Sequence, residues 1–172
     1  MSKLHALIAA AFLAAGAALA ASPSSGPSPV ELGVYKDWTA YSYDSGPKKI
    51  CYMMSRPKKS EPRLDKRGQP HLMVTHRPAG KALNEVSIAA GYPFKKYSKV
   101  TAVVDKSRFE LFTKEDKAWS EKEDQKLVEA FRKGQRLEVK GAPDKGGATT
   151  DTYSLSGFAQ ALSAINKACN VR

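Results

Sequence analysis

The stretch from Thr149 to Cys169 changes its period once, and no other feature constrains the chain as much. Asp151, Tyr153 and Leu155 alternate with Thr150, Thr152 and Ser154, the two-residue repeat of a strand, and Thr and Tyr suit a pleated surface. From Ser156 onward Phe158, Ala161, Leu162, Ile165 and Cys169 recur at helical spacing on one face. Ser156 is the expected N-cap, its hydroxyl accepting from an early orphan N–H of the helix. A strand therefore runs into a helix that carries a cysteine on its apolar side. The only other cysteine, Cys51, stands near the start of the domain.

Residues 1–21 read as a secretory signal peptide. Lys3 gives the positive start, Leu4 to Leu19 an alanine-rich apolar run, and Ala18-Leu19-Ala20 a small-x-small cleavage site. The run is short for a membrane span, which takes about 20 strongly apolar residues. It holds no Arg-Arg pair, and Ala21-Ser22-Pro23 offers no cysteine for a lipid anchor. The expected product is an exported protein of the periplasm, with outer-membrane association or secretion left open. Disulfides persist outside the cytosol, so a Cys51–Cys169 bond is expected. Residues 22–33 are rich in Ser and Pro and read as a flexible linker. Residues 34–172 then form a single domain, long enough to bury a sizeable core.

Short strand signals follow one another within that domain. Trp38 to Tyr43 and Ile50 to Ser55 flank the turn cluster Asp44-Ser-Gly-Pro47 and read as a hairpin. Leu72 to His76, Glu85 to Ala89, Val100 to Val104, Phe109 to Thr113 and Leu137 to Val139 continue the series. Ser120 and Glu123 have capping-box spacing before a helix striped by Leu127, Val128 and Phe131 and stopped by Gly134. With the closing strand and helix, the count is about eight strands and two helices. The expected fold is mainly β, an antiparallel β-sandwich or open barrel with two packed helices.

The run from Thr149 to Leu162, Thr-Thr-Asp-Thr-Tyr-Ser-Leu-Ser-Gly-Phe-Ala-Gln-Ala-Leu, with Cys169 after it, resembles the invasion-associated locus B family of bacterial exported envelope proteins. Trp38, Phe109-Glu-Leu-Phe112 with Ala118-Trp119, and Ala130-Phe-Arg-Lys-Gly134 fit the same resemblance, which spans residues 34–171. It implies a non-enzymatic envelope protein with a role in host-cell invasion or envelope surface interaction. It carries over no catalytic residue. The alternative is a periplasmic inhibitor or adaptor that binds another envelope protein.

The individual residues give catalysis little support. Ser156 sits at a strand-to-helix turn, as a hydrolase nucleophile would, but Ser154 and Phe158 occupy the glycine positions of a Gly-x-Ser-x-Gly elbow. His71 and His76 are five apart, so strand alternation puts them on opposite faces, poorly placed as co-ligands. Lys145-Gly-Gly-Ala-Thr149 has the residue types of a phosphate loop in the wrong order. No catalytic residue, metal or cofactor is expected. Trp38, Trp119, Phe109, Phe112, Phe131 and Phe158 each fit an apolar phase and are expected in the core.

Charge is the feature that asks for a partner. The chain carries a formal net charge of +11. Lys48, Lys49, Arg56, Lys58, Lys59, Arg63, Lys66 and Arg67 stand within twenty residues against only Glu61 and Asp65, interrupted by Pro57, Pro62 and Gly68. They are expected on an exposed hairpin arm. Such a cluster suits an anionic surface: lipopolysaccharide, anionic lipid or a host sulfated glycan. No nucleic-acid motif is present, and export makes that partner unsuitable. Replacing Lys58, Lys59, Lys66 and Arg67 by Gln is expected to weaken retention on such a surface and to leave the melting temperature nearly unchanged.

Overall fold

Alternation along the strands sorts the side chains, and the buried phase passes from each strand to the next. The computed structural model describes residues 28–46 and 48–171; the expected leader at 1–21 and the first part of the linker lie outside them. The strands are β1 (Val30–Tyr35), β2 (Trp38–Ser45), β3 (Lys48–Ser55), β4 (Lys59–Glu61), β5 (His71–Arg77), β6 (Ala82–Ala89), β7 (Lys99–Val104), β8 (Ser107–Lys114), β9 (Lys117–Trp119), β10 (Arg136–Gly141) and β11 (Thr149–Ser154). Helix α1 (Asp124–Lys133) joins β9 to β10, and α2 (Phe158–Ala168) follows β11. All eleven strands belong to one sheet, in the order β1-β2-β3-β5-β6-β9-β8-β7-β10-β11-β4, and every pairing is antiparallel.

The fold is therefore mainly β and antiparallel, but the described residues form eleven strands in one continuous, open sheet, with two helices. Three strands exceed the expected eight. β1 begins at Val30, inside the expected linker, and Gly33 marks a shift in its register with β2. β4 and β9 are three residues each and pair through their backbones. Isolated hydrogen bonds link the two ends of the sheet. Trp38 Nε1 donates to the Ser154 carbonyl at 3.1 Å, and the Asp37 N–H donates to Ser156 O at 3.3 Å. The Lys58 N–H, just after β3, donates to Thr152 O at 2.7 Å.

The core lies on the buried phase: Ala40, Met53, Leu72, Val74, Val86, Ile88, Val100, Ala102, Leu111, Leu137, Val139 and Tyr153. Helix α2 lies against β1, β2 and β3. Phe158 on α2 meets Trp38 edge-on at 5.0 Å and Phe131 on α1 at 5.5 Å, so one aromatic cluster joins both helices to the sheet. Cys51 on β3 is bonded to Cys169 at the end of α2, with Cα atoms 5.9 Å apart. Not every aromatic is core. Phe112 is 46% exposed and stacks on Trp119 at 5.6 Å, because both point away from the buried phase held by Leu111 and Ala118.

Both expected helix starts move. Glu123 N donates to Ser120 Oγ at 2.8 Å, but this closes a turn, and α1 begins only at Asp124. Ser156 is exposed and does not cap α2. The N-cap is Gly157, at φ +92°, where an added Cβ would stand 1.9 Å from the Tyr35 carbonyl oxygen. Glycine is needed for the left-handed backbone and for the close approach of β1.

His76 is fully buried beside Cys51. Its Nδ1 accepts from the Asn84 N–H at 3.0 Å, which leaves Nε2 to donate to Asn166 Oδ1 at 2.7 Å. The ring is neutral, and burial pulls its pKa below the usual value. A depressed folded-state pKa means the unfolded chain takes up the proton first as pH falls. Stability is thus full above the ordinary histidine pKa of about 6.5 and declines below it. Melting temperature should fall between about pH 7 and pH 5, and His76→Gln should flatten that part of the profile. An unchanged slope in the variant would assign the effect to other groups.

Candidate functional site

The basic residues of 48–67 do not share an arm. Lys48 and Lys49 open β3, while Arg56 follows its end. Roughly 23 Å of strand separates Lys49 from Arg56 at about 3.3 Å per residue. Lys58 leads into β4, Lys59 lies in it, and Arg63 and Lys66 follow on the loop to β5. All seven are exposed. Lys58 Nζ pairs with Asp37, and its hydrogen bond holds the Asp37 carboxyl below the usual carboxylate range, with Ser154 assisting. Lys59 pairs with Glu61 at 2.8 Å. Exposed pairs of this kind contribute about 0–1 kcal/mol and can be exchanged for another anion.

Arg67 departs from the expectation. Its side chain is 5% exposed and that of Asp151 is 3% exposed. Arg67 Nη1 and Nη2 donate to Asp151 Oδ1 and Oδ2 at 2.8 and 2.5 Å, a two-pronged pair, and Nε donates to the Ala90 carbonyl at 2.7 Å. Its guanidinium lies 4.9 Å from the Tyr92 ring centre. Ser60 Oγ gives Asp151 Oδ1 a further bond at 2.6 Å. Arg67 is thus committed to the interior and offers no charge to an outside surface. A crossing of two glycines brings it there. Gly68 N donates to Gly91 O at 2.8 Å, and a Cβ on Gly91, at φ +75°, would stand 2.4 Å from Gly68 O.

The network continues along β11. Tyr92 and Thr149 share a hydroxyl hydrogen bond of 2.6 Å. Tyr153 is fully buried, and burial, then the charge of Asp151, pushes its phenol pKa up. A phenol so placed stays neutral and acts as core. His71 is on the outer side of β5, away from His76, its Nδ1 3.3 Å from Gln69 O. Among the described residues, no group of three or more His, Cys, Asp and Glu is placed to hold a metal.

Two surface grooves flank this network. The first, of about 390 Å³, is lined by Lys36, Asp37, Tyr41, Met54, Arg56 and Lys58. It brings together two of the expected cations with Lys36, which the residue pattern did not single out. Tyr41 stacks on Tyr52 at 5.1 Å beside it. The second, of about 460 Å³, is lined by Leu64, Lys66, Arg67, Tyr92, Pro93, Pro143, Asp144 and Lys145.

The invasion associated locus B (IalB) protein family matches residues 38–166, three quarters of the chain. The chain belongs to the invasion-associated locus B family. Its fold is similar to the crystal structure of invasion-associated protein B from Bartonella henselae, with a TM-score of 0.57 and 14% identity over 82% of this chain and 99% of that one. No functionally curated protein matches it. In this invasion-associated locus B domain the C-terminal run has physical duties: Asp151 holds Arg67, Gly157 admits Tyr35, and Phe158 joins both helices to Trp38. Among the described residues no helix is long and apolar enough to cross a membrane.

Proposed function

We propose that this chain is a non-enzymatic exported envelope protein that acts by binding anionic surfaces, in envelope surface interaction or host-cell invasion. The surface it meets would be lipopolysaccharide, anionic lipid or a host sulfated glycan. The observation that carries this reading is the exposure of Lys48, Lys49, Arg56, Lys58, Lys59, Arg63 and Lys66, with Arg56 and Lys58 joined by Lys36 around one groove. Exposed cations act through a screening length of about 8 Å at physiological salt and about 3 Å at 1 M, so such binding is collective and salt-sensitive. Family membership supports the placement in the envelope.

The mature protein is expected to be retained on lipopolysaccharide- or heparin-coated resin at physiological salt and released as salt rises toward 1 M. Passage through both resins at low salt, or retention indifferent to salt, would reject the reading.

A further inference from the structure

The second groove differs in character from the first. Its floor is apolar, made by Leu64, Tyr92, Pro93 and Pro143, and its volume of about 460 Å³ falls within the usual range of small-molecule clefts, about 300–1,000 Å³. Its charges do not balance. Arg67 is cancelled by Asp151 beneath it. That leaves the exposed Lys66 and Lys145 against Asp144, and among the described residues none of these three enters an ion pair. The remaining charge is a single positive one beside an apolar floor.

One wall carries Lys145 on an exposed loop. The loop between β10 and β11 is fixed at its base, where Asp144 N donates to Pro93 O at 2.8 Å and Lys95 N to Ala142 O at 2.9 Å. At its tip Gly146, at φ +102°, and Gly147 have no atom within 4 Å of where a Cβ would stand. Lys145 therefore sits between an anchored base and an unencumbered tip.

The geometry points to a binding site for a medium-chain acyl anion, its chain laid on Leu64, Tyr92, Pro93 and Pro143 and its acid group between Lys66 and Lys145. A cation of the same shape meets the surplus positive charge and is disfavoured, and a neutral chain forgoes the ammonium contacts. The site lies apart from the groove at Lys36 and Arg56 and shares only Lys66 with the cations of the proposed polyanion surface, so octanoate binding at Leu64 and Lys145 is read separately from polyanion retention.

Titration of the isotope-labelled mature protein with octanoate, followed by amide NMR shifts, tests it. Octanoate is expected to shift the signals of Leu64, Tyr92, Lys145, Gly146 and Gly147, and octylammonium to bind about tenfold or more weakly, as charge complementarity requires. Lys145→Glu, on an exposed loop, should weaken octanoate binding about tenfold at an unchanged melting temperature, since surface changes of this kind scarcely move stability. Leu64→Asp should abolish it. Equal binding of octanoate and octylammonium, or shifts centred on Lys36 and Arg56 or on any other surface, would overturn the assignment. So would undiminished binding by Lys145→Glu.

Discussion

Arg67→Met is expected to destabilise the domain by about 3–5 kcal/mol, because it strands the Asp151 carboxylate in the interior. Among the described residues Asp151 forms an ion pair with Arg67 alone, and its other side-chain bond is from the Ser60 hydroxyl. Arg67 in turn lends Nε to Ala90 O and its flat face to Tyr92, so the same change also loosens the Gly68–Gly91 crossing. The loss should appear as a lower urea midpoint. The pair itself need not be net stabilising, since its two ions must first be desolvated. Arg67→Met combined with Asp151→Leu should therefore recover much of the loss. A single-variant cost under about 1 kcal/mol, the level of an exposed pair, would mean the pair is open to water.

Removing the disulfide is expected to have an effect of similar size. Cys51 and Cys169 close a loop across a separation of 118 residues, which corresponds to roughly 4–5 kcal/mol in the chain-entropy model, taken as an upper guide. Both sulfurs are buried, so Cys51→Ala with Cys169→Ala removes the bond without placing a hydroxyl in the core. The double variant should lose most of its stability margin, and α2 should loosen from β1, β2 and β3 first. Urea denaturation with far-ultraviolet circular dichroism reports both. A midpoint equal to that of the parent would show that helix packing alone holds α2.

The parts of the fold that could be read in the sequence are those where one residue pattern had one physical meaning. Leu137 and Val139 alternate with Arg136, Glu138 and Lys140 and can bury only one face of a strand, and they do. The near-continuous apolar run Val100–Val104 reads instead as buried on both sides, yet only Val100, Ala102 and Val104 are buried, because Thr101 and Val103 face the outer side of the sheet. Two cysteines in a chain read as exported had one partner each, and the structure bonds them. The unread strands lack such a pattern. Lys59-Ser-Glu61 is polar throughout and is a strand only because β11 offers it a backbone edge, and Val30–Tyr35 is broken by Gly33. Gly157 rather than Ser156 begins α2 for a reason visible only in space, the Tyr35 carbonyl behind it.

The same division holds at the candidate site. The exposed cations were legible as a run, but their separation along β3 and across to β4 follows from sheet topology. Arg67 looked like its neighbours. The signal that could have singled it out lay on β11: Asp151 shares the buried phase with Tyr153 and Leu155, and a carboxylate there requires a cation. The sequence did not say which of the nearby cations answers it. Lys36 joined the site only because the start of β2 lies beside the end of β3.

The division of the basic segment into one interior arginine and seven surface cations is tested most directly by heparin elution of the variant carrying Arg56, Lys58, Lys59 and Lys66 all changed to Gln. Arg67 is kept in this variant, since its loss would unfold rather than discharge the surface. Each change touches an exposed side chain and should move stability by roughly 0.5 kcal/mol at most, so the melting temperature should stay close to that of the parent. Elution should move to clearly lower salt than for the parent protein. Elution at the same salt as the parent, with the fold intact, would contradict the account.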